Sequence, residues 1–189
     1  SPERQGTAFG FIKSIMVKHI MIPEMYDCMD VVSRLMVTST TGEIRQVSRS
    51  VFYNFLMEYD QSRGRLEKQF KLIINNLKYP AQAGRLSVME LILTIVKKAS
   101  KELLTRLVTS FFIALANVSV TDDSPSCRES ATEILGVMFT RLSDSGMDIE
   151  FVEKYTSAWL SQNKKSLLNR CGLNVYKMYV NTIGYGVSE

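Results

Sequence analysis

Apolar residues recur along the chain with the spacing of an α-helix. The clearest stripe follows i, i+4, i+7, i+8, i+11 and consists of Leu66, Phe70, Ile73, Ile74 and Leu77. Such spacing places all of its members on one face of a helix. Polar side chains fall on the opposite face: Lys68, Lys71, Asn75 and Lys78. No segment shows convincing alternation of apolar and polar residues, so the pattern predicts no β-sheet.

Turn-forming residues separate these stripes and divide the chain into about nine helices. The predicted spans are 7–20, 23–37, 43–59, 65–79, 84–98, 101–119, 125–142, 148–160 and 166–183. Pro23 and Pro125 stand where a first helical turn begins, and Ser124 is a candidate N-cap. Pro80 follows a predicted helix end, which is where proline is expected.

Alternate helices resemble one another. An arginine stands near the start of four of them, at intervals of 40, 43 and 42 residues: Arg45, Arg85, Arg128 and Arg170. Small or apolar residues follow each arginine after three and six positions: Ser48 and Val51, Val88 and Leu91, Ala131 and Ile134, Leu173 and Tyr176. A period of about 40–47 residues built from two helices is that of HEAT and armadillo repeats. We therefore predict an all-α fold, an α-solenoid of about four HEAT-like helix hairpins.

The segment DDSPSCRESATEIL, residues 122–135, fits the HEAT pattern best. An acidic residue there precedes the second helix of a hairpin. The carboxylate of Asp122 or Asp123 can pair with Arg128 or with the arginine of a neighbouring repeat. It can also accept hydrogen bonds from the free N–H groups at the helix start.

Composition agrees with a helical module. The 189 residues include 46% apolar and 22% charged side chains, only ten glycines and four prolines, and no initiator Met. We expect residues 1–189 to form a single α-solenoid segment of a longer protein. The scattered Cys28, Cys127 and Cys171 predict reduced, mostly buried thiols in an intracellular compartment. The uncharged stretch 107–121 is shorter than the ~20 residues of a membrane span, which predicts a buried helix and no membrane partner.

Signals for catalysis are weak. No glycine-rich phosphate loop and no G-x-S-x-G occurs in the sequence, and such motifs carry phosphate binding or nucleophilic chemistry. His19 is the single histidine, and the Asp122–Asp123 pair has the context of a helix start. We therefore predict that the chain is not an enzyme, with no catalytic residue, cofactor, metal site or small-molecule substrate.

Charge is distributed unevenly along the chain. The net charge is +4, but residues 63–106 hold ten basic and three acidic residues, or +7, and residues 107–163 hold three and eight, or −5. Nine basic residues cluster near predicted loops and one exposed helix face, and they are the candidate RNA- or partner-binding set: Arg63, Arg65, Lys68, Lys71, Lys97, Lys98, Lys101, Lys164 and Lys165. Such clusters could neutralise phosphates without reading sequence, or could simply be solvated side chains at helix ends.

Several blocks resemble a known family. They are GRLEKQFKLIINNLKYPAQAGRLSVMEL at 64–91, IMIPEMYDCMDVV at 20–32, VFYNFLMEYD at 51–60 and VTDDSPSCRE at 120–129. These blocks are similar, in order, to the C-terminal region of the U-three small nucleolar RNA-associated protein twenty family, also called the down-regulated in metastasis family. Asp60 and Thr121 depart from the residues usual there, Pro and Asn, and both lie outside the predicted helix spans.

The resemblance implies a fragment of a very large nucleolar α-solenoid. It implies a non-enzymatic scaffold of the small-subunit processome, the precursor of the small ribosomal subunit, acting in early pre-ribosomal RNA processing. Partners would be other processome proteins and pre-ribosomal or small nucleolar RNA. The family offers no catalytic residue and no nucleotide-binding motif to carry over. Two alternatives remain: a HEAT adaptor with purely protein partners, such as a transport or phosphatase scaffold, and a helical accessory domain of a large enzyme.

Overall fold

Nine α-helices and no β-strand are found among the residues that the computed structural model describes, 2–18, 20, 22–162 and 166–183. The helices are α1 (Pro2–Val17), α2 (Glu24–Thr38), α3 (Gly42–Glu58), α4 (Arg63–Asn76), α5 (Gln82–Lys98), α6 (Lys101–Thr121), α7 (Pro125–Asp144), α8 (Glu150–Leu160) and α9 (Ser166–Ile183). The all-α prediction is confirmed.

The helix boundaries differ from the predicted ones mainly at α1 and α4. Helix α1 begins at Pro2 and not at residue 7, because proline is well tolerated in a first turn. Helix α4 ends at Asn76 and not at residue 79. There the N–H groups of Lys78 and Tyr79 donate to carbonyls only three residues earlier, which is the tighter turn often found at the end of a helix.

Serine side chains begin three of the helices. The hydroxyl oxygens of Ser62, Ser100 and Ser124 accept hydrogen bonds from N–H groups three residues later, at the starts of α4, α6 and α7. Each bond satisfies one of the free donors at a helix start. The predicted N-cap at Ser124, with Pro125 in the first turn, is confirmed. The predicted start of α4 at residue 65 overlooked the cap at Ser62.

The chain divides into two compact units, Ser1–Leu91 and Ile92–Glu189. In the first unit, α2 and α3 form a hairpin, and α1 packs against α3. The centre of this unit is apolar: Met29, Phe52 and Phe55 are fully buried. Two neighbouring helices joined by the short connection at 39–41 are the expected element of a helical repeat.

In the second unit, α6 with α7 and α8 with α9 form two further hairpins, and α9 also packs against α6 and α7. Hairpins that bury their apolar faces against one another are the building principle of an α-solenoid. Trp159 of α8 stacks on Phe112 of α6, with ring centroids 5.5 Å apart and an interplanar angle of 8°. Trp159 thus packs against α6 within this unit.

Helix α6 has 21 residues and is apolar enough to cross a membrane by length and composition alone. Its side chains Phe111, Phe112 and Leu115 are nevertheless fully buried in the second unit, and α7 and α9 pack against it. This is the environment of a core helix, as predicted for residues 107–121.

The side chains of the repeated arginines donate hydrogen bonds to the turn that precedes their own helix. Three of them donate from Nη1 to a carbonyl oxygen six residues earlier: Arg45 to Ser39 at 2.7 Å, Arg85 to Tyr79 at 2.9 Å and Arg128 to Asp122 at 2.6 Å. These carbonyls lie at or just after the end of the preceding helix, where backbone acceptors lack intrahelical donors. The spacing of 40 and 43 residues between these three arginines therefore reflects a repeated hydrogen bond between one helix and the turn before it.

The acidic pair beside Arg128 acts at the helix start. The guanidinium of Arg128 donates to the main-chain carbonyl oxygens of Asp122 and Asp123. The carboxylate of Asp122 accepts from the N–H of Ser124 at 2.9 Å. The prediction that this carboxylate accepts from a free N–H group at the helix start is confirmed.

Arg170, the fourth predicted member, departs from the pattern. Its described hydrogen bond goes to the carbonyl oxygen of Val120, 3.4 Å away and 50 residues earlier. Leu173 and Tyr176 are 60% and 55% exposed, whereas the equivalent residues of the other three repeats are buried. Helix α9 instead buries Cys171, Gly172 and Val175. The predicted register of the fourth repeat is wrong, because α9 is turned about its axis to pack Gly172 closely against Leu160.

The three thiols are free, but they do not all share the predicted burial. Cys127 and Cys171 are buried, whereas Cys28 is exposed. Cys28 lies on α2 between the exposed Asp27 and the buried Met29, so the helical register directs its side chain away from the core.

Candidate nucleic-acid interface

Four of the predicted basic residues lie on α4. Arg63, Arg65, Lys68 and Lys71 are all exposed. The helix is held by its apolar stripe, since Phe70 and Ile73 are buried in the first unit. Because this stripe packs against the core, the lysines on the opposite face of α4 point towards solvent.

Arg63 already has a partner in the chain. Its Nε donates to Oε1 of Glu67 at 3.1 Å, one helical turn later, and both side chains are at least half exposed. Exposed pairs at this spacing contribute only about 0.3–0.5 kcal/mol. Arg63 can therefore exchange this partner for another anion at little cost.

Arg65 lies over an aromatic ring. Its guanidinium carbon is 4.2 Å from the ring centroid of Tyr26 on α2, which is a cation–π contact. Tyr26 was not among the predicted site residues. No local pattern could have shown it, because 39 positions separate it from Arg65 in the sequence.

Lysines form the free part of the α4 surface. Lys68 and Lys71 are exposed, and Lys78, just after the helix, is exposed as well. The ion pairs Arg49–Glu90 and Arg63–Glu67 involve none of these three lysines. None of the three therefore has a carboxylate partner within the part of the chain that the structure describes. Lys78 was missing from the predicted set, although the helical periodicity places it on the same face.

Lys97, Lys98 and Lys101 lie in the second unit, where α5 ends and α6 begins. Lys97 and Lys98 are exposed in the last turn of α5, where cations complement the helix dipole. The Nζ of Lys101 donates to the carbonyl oxygen of Ser145, the C-cap of α7, at 2.9 Å. These lysines have local structural roles in addition to their charge.

Three residues singled out in the sequence, Lys164, Lys165 and His19, lie outside the described residues. Within the described part, no group of three or more His, Cys, Asp or Glu residues could hold a metal ion.

A partly buried arginine in the first unit is structural. Arg49 of α3 pairs with Glu90 and donates to the hydroxyl of Ser87, both on α5. Burial lowers the pKa of Arg49 from its ordinary value, and the carboxylate of Glu90 opposes that shift. Arg49 thus links α3 to α5 through these two contacts and is not part of the α4 surface.

Comparison with known proteins identifies two relatives that match nearly the whole chain. The chain is 53% identical over 184 residues, 97% of its length, to U3 small nucleolar RNA-associated protein 20 of Saccharomyces cerevisiae. It is 34% identical over 186 residues to the protein of the same name from Schizosaccharomyces pombe. The chain spans 7% of the length of each of these curated relatives. No protein-family model matches it. The resemblance predicted from the sequence blocks is therefore confirmed, and this chain is homologous to a segment of U3 small nucleolar RNA-associated protein 20.

Proposed function

We propose that this chain is a non-enzymatic scaffold segment of a nucleolar assembly that processes pre-ribosomal RNA for the small ribosomal subunit. The observation that carries the proposal is the 53% identity, over 97% of the chain, to a relative named for its association with U3 small nucleolar RNA. Residues 1–189 would form one part of a larger helical scaffold. Such a scaffold acts by holding its partners in a fixed geometry.

We further propose that the lysine face of α4, defined as Lys68, Lys71 and Lys78, contacts RNA phosphates. All three are exposed and lack carboxylate partners among the described residues. Arg63 and Arg65 add positive charge in the first turn of the same helix, which contains no acidic residue, and Glu67 in the next turn pairs with Arg63. Cations at a helix start are unfavourable next to the positive end of the dipole, so a bound phosphate would offset an existing electrostatic cost.

The RNA contact is tested by the salt dependence of binding. The affinity of the chain for a fragment of U3 small nucleolar RNA is measured between 50 and 300 mM KCl. Each phosphate contact contributes roughly 0.7–0.9 to the slope of log K against log salt. We expect the Lys71→Gln/Lys78→Gln variant to lower the slope by about 1.5 for this reason. A Lys154→Gln/Lys177→Gln variant, at two exposed lysines of α8 and α9, is the matched control.

An unchanged slope in the Lys71→Gln/Lys78→Gln variant would exclude the RNA contact at α4. Failure of the unmodified chain to bind RNA would favour the alternative, a HEAT adaptor with purely protein partners. That alternative draws on the exposed carboxylates of α7, α8 and the connection between them, Glu129, Glu133, Asp144, Asp148, Glu150 and Glu153. They would suit a basic protein surface.

A further inference from the structure

A groove of about 660 Å³ lies between the start of α2 and the start of α4, within the first unit. Ligand pockets commonly have volumes of about 300–1,000 Å³. The lining of the groove includes Tyr26, Tyr59, three carboxylates of α2 and the basic residues Arg65 and Lys68 of α4. Lys71 and Lys78 are not among the lining residues, so most of the lysine face lies outside the groove.

The aromatic side chains of the groove are held firmly. Tyr59 is 5% exposed, and its hydroxyl accepts from the N–H of Ile22 at 2.9 Å. The ring of Tyr26 packs edge to face on Tyr59 and on Phe55, at 5.9 Å in both cases. Arg65 lies on the ring of Tyr26. The shape is therefore formed before any ligand arrives, which lowers the entropic cost of binding.

The two helices give the groove charges of opposite sign. Helix α2 contributes Glu24, Asp27 and Asp30 at intervals of three residues, a spacing that puts them on one helix face and makes them repel one another. Helix α4 contributes Arg65 and Lys68. Neither the Arg49–Glu90 pair nor the Arg63–Glu67 pair crosses the groove.

We propose that this groove binds an extended peptide segment of a protein partner that carries both a basic and an acidic side chain. The basic side chain would face Asp27 and Asp30, and the acidic one would face Lys68 and Arg65. Carboxylates repel phosphates, so three of them disfavour RNA as the occupant. This site shares Lys68 with the proposed RNA contact, and the RNA contact is therefore tested at Lys71 and Lys78, which lie outside the groove.

The test is a selection of phage-displayed random decapeptides on the 189-residue chain. We expect selected peptides to combine Lys or Arg with Asp or Glu. Their affinity should fall at least tenfold on the Asp27→Lys/Asp30→Lys variant. It should be unchanged on a Glu43→Lys/Glu58→Lys variant, which reverses two exposed charges of α3 outside the groove. A new selection on the Asp27→Lys/Asp30→Lys variant should yield acidic peptides without basic residues.

The altered residues are exposed, so the variants should fold, and the milder Asp30→Asn variant should show a smaller loss in the same direction. The proposal is overturned if no peptide is selected, or if the selected peptides bind the groove and control variants equally. It is also overturned if the selected peptides are uniformly acidic. Competition between these peptides and a 20-nucleotide oligouridine that persists on the Lys71→Gln/Lys78→Gln variant would assign the groove to RNA and overturn the proposal as well.

Discussion

Arg141 in the last turns of α7 donates from Nη1 to the carbonyl oxygen of Val96 on α5 at 2.8 Å. Its Nη2 donates to the carbonyl oxygen of Ala99, just after the same helix. The last carbonyls of a helix lack intrahelical donors. One guanidinium thus satisfies two acceptors at the end of α5 within the second unit.

The Arg141→Met variant should lower the free energy of unfolding of this unit. It leaves two acceptors without a donor, and the cost of one unsatisfied buried group is about 1–3 kcal/mol. Arg141→Lys should recover only part of the loss. The lysine ammonium can still donate a hydrogen bond, but it cannot donate two in the forked geometry of a guanidinium. Urea unfolding followed by the fluorescence of Trp159 measures both variants. Lys154→Met, at an exposed position on α8, serves as the control and should change stability by less than about 0.5 kcal/mol.

The repeated arginines should differ in their contribution to stability. Arg85 is 7% exposed and donates to two carbonyl oxygens, and the described bond of Arg45 goes to one. We expect Arg85→Met to cost about 2–3 kcal/mol and Arg45→Met about 1 kcal/mol. Thermal unfolding followed by circular dichroism would measure the difference. Equal losses for the two variants would contradict the role assigned to these hydrogen bonds.

Arg170→Met is the matched variant in the last repeat. Its described hydrogen bond is long, at 3.4 Å, and the side chain is exposed. We expect a loss below about 0.5 kcal/mol, as is usual for exposed positions. A loss of stability as large as that of Arg85→Met would show that Arg170 has the same structural role as the other three arginines.

Sequence reasoning located the helices well because their signals are local. The stripe that ends at Leu77 and the cap at Ser124 each depend on residues within a few helical turns. The packing of Tyr26 under Arg65 depends on how two separate helices meet, and no local pattern encodes it. The predicted orientation of α9 about its axis was wrong for the same reason. A contact between two separate helices, Gly172 of α9 against Leu160 of α8, determines that orientation. The basic residues of α4 were found, but the groove beside them was not.

Two glycines inside helices should respond in opposite directions to substitution by alanine. A Cβ on Gly84 would lie 2.5 Å from Cδ1 of Tyr79 and 2.6 Å from the carbonyl oxygen of Val37. The backbone oxygen cannot move easily, so Gly84→Ala should destabilise the first unit by about 1–3 kcal/mol through overpacking. A Cβ on Gly136 would meet nothing within 4 Å. Gly136→Ala should therefore raise stability by about 0.5–1 kcal/mol through helix propensity. Urea unfolding of both variants followed by circular dichroism tests the pair, and a stabilised Gly84→Ala would refute the close approach.

The stability of the second unit should fall as the pH rises above about 9. Burial raises the pKa of the Cys171 thiol from its ordinary value of 9.0. Below about pH 9 the thiol is protonated in both the folded and the unfolded chain, so its contribution to the free energy of unfolding is fully present. Above it the unfolded chain ionises first, which favours unfolding until the pH passes the folded pKa. The free energy of unfolding is measured from pH 7 to 10 through Trp159 fluorescence.

The Cys171→Ala variant should show a smaller decline over the same pH range, whereas Cys28→Ala, at the exposed thiol, should not alter it. The contribution of Tyr179 to the stability of the unit also falls at high pH, because burial and the nearby Glu153 carboxylate raise its pKa from 10.0. The Tyr179→Phe variant removes that contribution and isolates the thiol. Identical pH profiles for Cys171→Ala/Tyr179→Phe and Tyr179→Phe would show that the Cys171 thiol is not linked to folding.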